Sequence, residues 1–579
     1  MSLRARLLLL ALLAALAPAS AGGAVVQRVE LMPGVTYTRE AKEIRGRQVV
    51  LHIVTAPRPG GLYRLAPVLS NGAVTGTETV SAMQERLSGG ATLVGVNGDL
   101  FNWDLGYPTG IFLEGGVLAG KPTSGRSTLG IGSDGTLRLA RVAFSGAWGI
   151  GEGGRLALAQ LNRPLGGSSA GLFTPAWGDA TPAARGVVDV VVSGFPAAIP
   201  NADLTGQVVE VRRGGGTAIP EGGAVLQTTA AVGRRLALAA EAGSPFVAQL
   251  LLKPWWDGVA DAIGGGPALV RHGRVALPTD EQFTRDQLVP RHPRTAVGQL
   301  ADGRILLVAV DGRSARSAGV TLWDLAKELQ ARGAVTAMAF DAGGSTTLAF
   351  DGRVLNTPSD GAERAVSDAL MVLYYGAYAP EPLHSVVSPN GDGVAETQRL
   401  SYKVVRPSTV KARLVGPGGK VVWKEEGEQQ PGTYPLEPDV EELAEGEWRW
   451  LVTAVDADGN PSSAERRFRV NETLGFLELS ARRLTLTRKR GGTLELSFEV
   501  AHEARVRVNV EDALGNGVRS LFGSLFQAPG EVVLRWNGRN GRGKVVPGGV
   551  YTIRVRATNA LGTVELTETV TVKRAKKPR

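Results

Sequence analysis

Asp341 closes an apolar run, Val335 to Phe340, and is followed by Ala342, Gly343, Gly344, Ser345, Thr346 and Thr347. A carboxylate at a strand end, then glycines and hydroxyls, gathers charge, backbone donors and hydroxyls within a few ångströms. The plain alternative is a hairpin turn with a solvated Asp. Three other segments could feed the same site. Val94 through Phe101 is an apolar approach ending in Asn97, Gly98 and Asp99, which a rigid scaffold can aim; it also reads as an ordinary Asn-Gly turn. Gly264, Gly265, Gly266 and Pro267 are backbone that can approach a ligand closely, or a loose turn. His292, Pro293, Arg294 and Thr295 supply a guanidinium fork for phosphate or carboxylate, or else a surface ion pair.

These residues need strands and turns to hold them. Ile305 to Val310, preceded by Asp302 and Gly303, reads as a buried strand in a hairpin. A helix is predicted over Leu322 to Arg332. Thr321 caps it with Asp324 three residues on, and Leu322, Leu325, Ala326 and Leu329 share one face. Glu328 pairs with Arg332, and Gly333 stops it. Two pattern matches are set aside. Gly149, Gly151 and Gly154 fit a dinucleotide fingerprint, and Gly167, Ser169 and Gly171 fit a nucleophile elbow, but neither precedes a helical pattern.

Composition narrows the classes. The 579-residue chain has no Cys, which excludes disulfides, thiolate metal sites and a cysteine nucleophile. No two of the five histidines stand at a metal-ligand spacing. The formal charge of +9 is concentrated at the ends, in Arg4 and Arg6 and in Lys573, Arg574, Lys576, Lys577 and Arg579. The body is nearly neutral, so no nucleic-acid partner is expected. Arg4 and Arg6 precede the apolar run Leu7 to Leu16, and Ala19, Ser20 and Ala21 supply a small-x-small cleavage site. We therefore expect a signal peptide at 1–21, a secreted, periplasmic or cell-surface protein of a bacterial envelope, and membrane attachment only through an uncleaved leader.

The expected fold class is α+β: a β-rich domain with a few helices over 22–380, then two all-β Ig-like sandwiches over 381–472 and 473–579. The tail shows strand-like runs such as Trp448 to Val455, Leu494 to Val500 and Tyr551 to Ala557 between turns, after a linker marked by Pro380 and Pro382.

Arg294, Thr295, Ala296, Val297 and Gly298, then Asp311 and Gly312, then Gly319 with the Leu322, Trp323, Leu325, Ala326 helix, then Asp341, Gly343, Gly344 and Ser345 resemble the phosphodiester glycosidase family. That family includes N-acetylglucosamine-1-phosphodiester alpha-N-acetylglucosaminidase and bacterial exopolysaccharide-associated proteins. The resemblance runs from about residue 80 to 375 and includes Asn97 with Phe101. It departs at Ala342, where the family typically has glycine; alanine there either takes an ordinary conformation or strains the loop. In the tail, Ser388, Pro389, Asn390, Gly391, Asp392 and Gly393 resemble the opening of bacterial surface Ig-like modules. Trp536, Asn537 and Gly538 with Gly548, Gly549, Val550 and Tyr551 resemble the Ig-like domain of the flagellar hook-capping protein.

The resemblance implies hydrolysis of a sugar-1-phosphodiester, or of such a linkage in envelope polysaccharide, at the glycosidic carbon–oxygen bond. Asp341 would face the anomeric carbon or activate water. Arg294 and the backbone of Gly343 and Gly344 would hold the phosphate. Asp311 and Asp99 compete for a second carboxylate role, and Asn97, Ser345 and Thr346 would contact the sugar. No cofactor is expected, although Asp99, Asp311 and Asp341 could converge on a divalent cation such as calcium, and Asn390 with Asp392 form either a calcium site or a plain turn. The competing function is a non-catalytic glycan-binding or structural cell-surface protein.

Overall fold

The hairpin expected around Asp302 and Gly303 sits at the centre of the first domain. In the computed structural model, which describes residues 24–574 except 153, 168, 255, 279, 392 and 487–491, Arg294–Leu300 pairs antiparallel with Ile305–Val310. The leader, Lys576, Lys577, Arg579 and Asp392 lie outside the described residues.

Arg294–Leu300 is flanked on its other side by Ala334–Ala339, and Ile305–Val310 by Arg47–Ala56, within an eight-stranded antiparallel sheet. The strand expected at Val335 to Phe340 therefore forms, one residue earlier. All six residues of Ile305–Val310 are buried because both sheet faces are covered. On one face lies the helix Leu322–Ala331. Thr321 Oγ1 accepts from Asp324 N at 3.1 Å, and Leu322, Leu325, Ala326 and Leu329 pack against Val308, Val310, Ala337 and Ala339. Arg332 and Glu328 stand 3.7 Å apart, and Gly333 ends the helix at φ +87°.

On the opposite face, Val54, Val297 and Leu307 pack against Val94, Val96, Leu370 and Val372 of a second, five-stranded sheet. Its central strands are Thr92–Asn97 and Asp368–Tyr374, paired antiparallel. The site is built where the ends of these two packed sheets meet.

The stretch from Ala143–Ile150 to Pro245–Lys253 forms its own eight-stranded sheet. Gly149 lies in the first of these strands and Gly171 in Ala170–Phe173, so neither set-aside motif opens a helix. Strands make up 52% and helices 8% of the described residues, the β-rich α+β class expected, with an Ig-like domain at the C-terminal end.

In the tail, one five-stranded sheet contains Gly446–Asp456 and Pro461–Val470, and another contains Ala504–Asp512 and Gly549–Asn559. Buried Arg466 donates to the carbonyls of Ala379 and Leu31, and Lys403 Nζ to that of Ala91, so the first of these units is docked on the domain that carries the site. No helix among the described residues is long and apolar enough to cross a membrane.

Candidate active site

One buried amide ties the site together. Asn97, the last residue of its strand, accepts at Oδ1 from Thr295 Oγ1 (2.7 Å) and from Thr347 N (3.1 Å), and its Nδ2 donates to the carbonyl of Asp341 (2.9 Å). Asp341 N donates to Gly98 O, and Phe340 N to Thr295 O. Three of the segments singled out by sequence thus converge through a single side chain. All of its capacity except one N–H goes to fixing them, so Asn97 shapes the site from behind, contrary to the sugar-binding role expected of it.

The Asp341 carboxyl accepts from Ala342 N at 2.9 Å through Oδ1 and from Ser345 Oγ at 2.6 Å through Oδ2. Burial pushes it above the usual carboxylate range, against the downward pull of those two bonds and of the Arg364 charge. It opens on a cavity of about 210 Å³ whose lining also includes Ala342, Gly343, Gly266, Pro267, His292, Arg294 and Arg313.

The loop after Asp341 explains its own composition. Ala342 sits at φ −123°, ψ −178°, extended backbone open to any residue, so its departure from the family pattern costs nothing. Gly343 is at φ +71°, and its N–H donates to the Pro293 carbonyl. It is therefore not the free phosphate donor expected from sequence. A Cβ on Gly344 would collide with the Arg364–Asp360 ion pair passing over it. Ser345 and Thr346 are buried beneath the loop, with the Ser345 hydroxyl aimed at Asp341, so neither lines the cavity as a sugar contact.

The opposite wall is cationic. Arg294 is buried and donates to the carbonyls of Val320, Gln287 (2.8 Å) and Pro290 (2.9 Å), with no carboxylate partner among the described residues. Burial, with the Arg313 charge added, lowers its pKa to about 10. A buried guanidinium without a counterion favours an anion in the adjoining cavity. Arg313 is more exposed and carries Nη2 to 3.5 Å from His292 Nδ1 and Nη1 to 3.9 Å from Asp360. Burial, followed by the Arg294 charge, holds the His292 pKa below its usual value.

Both candidates for a second carboxylate are engaged elsewhere. Asp311 Oδ2 is 3.0 Å from His52 Nε2 and Oδ1 accepts from Thr357 N, while His52 Nδ1 is 2.8 Å from the Tyr37 hydroxyl. Asp311 therefore faces into the sheet, away from the cavity, contrary to the catalytic role expected. Asp99 Oδ2 accepts from the backbone N–H of Gly110 and closes the intervening loop, so it is a brace and not a substrate contact. Burial raises its carboxyl to about 6. Its own N–H donates to Asp368 Oδ1 at 2.8 Å, and burial followed by the Asp99 charge pushes Asp368 well above the ordinary range. Asp99, Asp311 and Asp341, which could have converged on a cation, are held apart by these partners, and no group of three His, Asp or Glu side chains arranged for a metal occurs among the described residues.

Sequence reasoning missed Arg313, Asp286 and Asp368. Asp286, whose residue lines the cavity, lies inside the Thr284–Gln287 capping box, a legible T-x-x-Q signature. Arg313 directly follows the Asp311-Gly312 pair. Asp368 opens a strand with no local sign of its role.

Residues 199–373 match the family model described as phosphodiester glycosidase. This stretch is similar to phosphodiester glycosidase domains. It includes Arg294, Arg313 and Asp341 but not Asn97 or Asp99, which the fold brings to it. Residues 485–560 match the FlgD Ig-like domain model. An uncharacterized SPbeta prophage-derived protein of Bacillus subtilis strain 168 is 42% identical over 130 residues, 22% of this chain and 20% of that protein. The N-acetylglucosamine-1-phosphodiester alpha-N-acetylglucosaminidase of Bos taurus is 39% identical over 67 residues, 12% of each chain. The matches thus span a fifth or less of these relatives. A hypothetical protein from Synechocystis superposes with TM-score 0.52 at 24% identity, covering 60% of this chain and 63% of that one, a likeness of fold. The phosphodiester glycosidase domain supports a glycosidase-type function.

Proposed function

We propose that the protein is a secreted or envelope hydrolase that cleaves the glycosidic bond of a sugar-1-phosphodiester, in exopolysaccharide or other envelope glycan. The observation that carries this reading is the pairing, across one cavity, of the Asp341 carboxyl with an arginine wall in which Arg294 has no carboxylate partner among the described residues. The phosphate sits against Arg313, in the field of Arg294, and the anomeric carbon sits toward Asp341. The bond from the anomeric carbon to the phosphate oxygen breaks, and the phosphomonoester leaves with that electron pair, stabilised by the arginines. The ionised Asp341 stabilises positive charge developing on the sugar and accepts the proton of the water whose oxygen bonds to the anomeric carbon. A phosphomonoester is a fairly good leaving group, so strong acid assistance is unnecessary.

Hydrolysis of UDP-N-acetylglucosamine in oxygen-18 water tests the proposal, with Asp341→Asn and Arg313→Ala as controls. Label in the released sugar, lost in Asp341→Asn, is expected. Label in the phosphate would make the protein a phosphodiesterase and overturn the mechanism. Absence of turnover across several sugar-1-phosphodiesters would favour the glycan-binding alternative.

A further inference from the structure

The eight-stranded sheet between Ala143 and Lys253 contributes no residue to the lining of the Asp341 cavity, yet one of its ends gathers arginines. Arg213 pairs with Val188 where the strands Asp203–Arg213 and Val188–Ser193 meet. Just beyond that pair, Gly214 N donates to Val187 O at 3.2 Å and Ala184 N to Gly214 O at 3.1 Å, while Arg234 Nη1 donates to Gly186 O at 3.1 Å. Arg185, Arg213 and Arg234, from three separate stretches of chain, therefore surround the same dipeptide, Gly186–Val187. Neighbouring Arg212 is paired with Glu210 at 2.7 Å. Arg185, Arg213, Arg234 and Arg235 have no carboxylate partner among the described residues, and all but Arg234 are exposed. Charges of one sign left together at a surface draw anions to it.

The helix Ala231–Leu238 adds a second feature. It turns Gly233 and Ala237 inward, and a Cβ on Gly233 would stand 2.6 Å from Thr228 Oγ1 and 3.3 Å from the Trp148 ring, so glycine lets the helix lie close against the sheet. Its outer ridge runs through Val232, Arg235 and Leu238 at three-residue steps. Val232 is 54% exposed and Leu238 41%. The nearest acid along the chain from this ridge, Glu241, follows after the helix has ended.

We propose that Arg185 and Arg213, with the ridge of Val232, Arg235 and Leu238, dock the protein on the surface of a bilayer rich in anionic phospholipid. The guanidiniums pair with headgroup phosphates, and the two apolar side chains enter the boundary between headgroups and acyl chains. A soluble polyanion would satisfy the arginines and leave Val232 and Leu238 in water. Attachment of this kind is reversible and needs no uncleaved leader.

Sedimentation of the full chain with vesicles tests the surface, at about 0.1 M salt, where charges are still felt over about 10 Å. Binding is expected to vesicles of phosphatidylglycerol mixed equally with phosphatidylcholine, and not to phosphatidylcholine alone. Arg185→Gln with Arg235→Gln should weaken binding about twenty- to thirty-fold, at about five-fold per arginine. Arg185→Lys with Arg235→Lys should keep most of it, and Val232→Ser with Leu238→Ser should weaken it at least about three-fold. Melting curves should not move, since these side chains are exposed; if the glutamine pair does lower the transition, Arg213→Gln alone carries the same test with an expected loss of about five-fold. Absence of wild-type binding, or equal binding by the wild type and the glutamine pair, would overturn the surface. Equally tight binding of soluble polyphosphate, with the serine pair indistinguishable from the wild type on vesicles, would make it a polyanion site and overturn the bilayer.

Discussion

The Ser345 hydroxyl donates a 2.6 Å hydrogen bond to Oδ2 of Asp341, four residues earlier in the same loop. That bond lowers the carboxyl's pKa while burial raises it, and burial wins. The acid at the centre of the site is thus tuned by one hydroxyl that solvent cannot reach.

Asp341→Asn should reduce turnover of a sugar-1-phosphodiester by at least about a hundred-fold, because the charge that stabilises the transition state is gone. Its thermal transition should move little, since asparagine can still accept from Ala342 N. Steady-state kinetics beside a melting curve checks both halves.

The pH profile follows from the sign of the shift. Asp341 acts ionised and its pKa is raised, so the rate should fall on acidification at a higher pH than an ordinary aspartate would give. Ser345→Ala removes a lowering contribution and should move that acid limb further up, with a loss of rate at fixed pH of about ten-fold or less. An acid limb shifted downward in the variant would contradict the arrangement.

The loop glycines should separate cleanly. Ala342→Gly relieves no strain, because Ala342 is extended, and should leave activity unchanged while costing about 0.5–1 kcal/mol of stability through chain entropy. Gly343→Ala should cost about 1–2 kcal/mol at its left-handed position. Gly344→Ala should break the Arg364–Asp360 pair and lower activity most of the three. Denaturant titrations with parallel rate measurements rank them.

The two arginines should behave differently. Arg313→Ala is expected to raise KM with stability changed by less than about 0.5 kcal/mol, as at other exposed positions. Arg294→Ala orphans the carbonyls of Val320, Gln287 and Pro290 and should cost about 2–4 kcal/mol as well as activity. Comparing the two variants by calorimetry and by KM distinguishes a brace from a ligand contact.

Asp99 gives a stability signature. Its folded pKa of about 6 lies above its ordinary 3.8, so the folded state holds the proton more tightly. This contribution is fully present below about pH 4 and is lost as pH rises through about 6. Asp99→Asn should flatten that slope in unfolding measured between pH 4 and 7.

Local structure was largely legible in the chain because its signals are local. The helix announced itself through the Thr321 cap, the Leu322, Leu325, Ala326, Leu329 face and Gly333, and it spans Leu322–Ala331. The hairpin of Arg294–Leu300 with Ile305–Val310 followed from one apolar run and one turn. Leu494–Val500 in the tail matches the expected strand because its flanks carry turn residues.

The sequence by itself determined that Asp341 stands at a strand end before glycines and hydroxyls, and that Asn97 and Arg294 belong to the same neighbourhood. Only the tertiary structure decided which oxygens face the cavity. Asp311 and Asp99 carry the same carboxyl as Asp341, yet one is turned to His52 and the other is spent on Gly110. Asp368 comes beside Asp99 across 269 residues of chain. The direction a side chain takes depends on partners brought in by sheet pairing, and no pattern of neighbours along the chain encodes a contact of that separation.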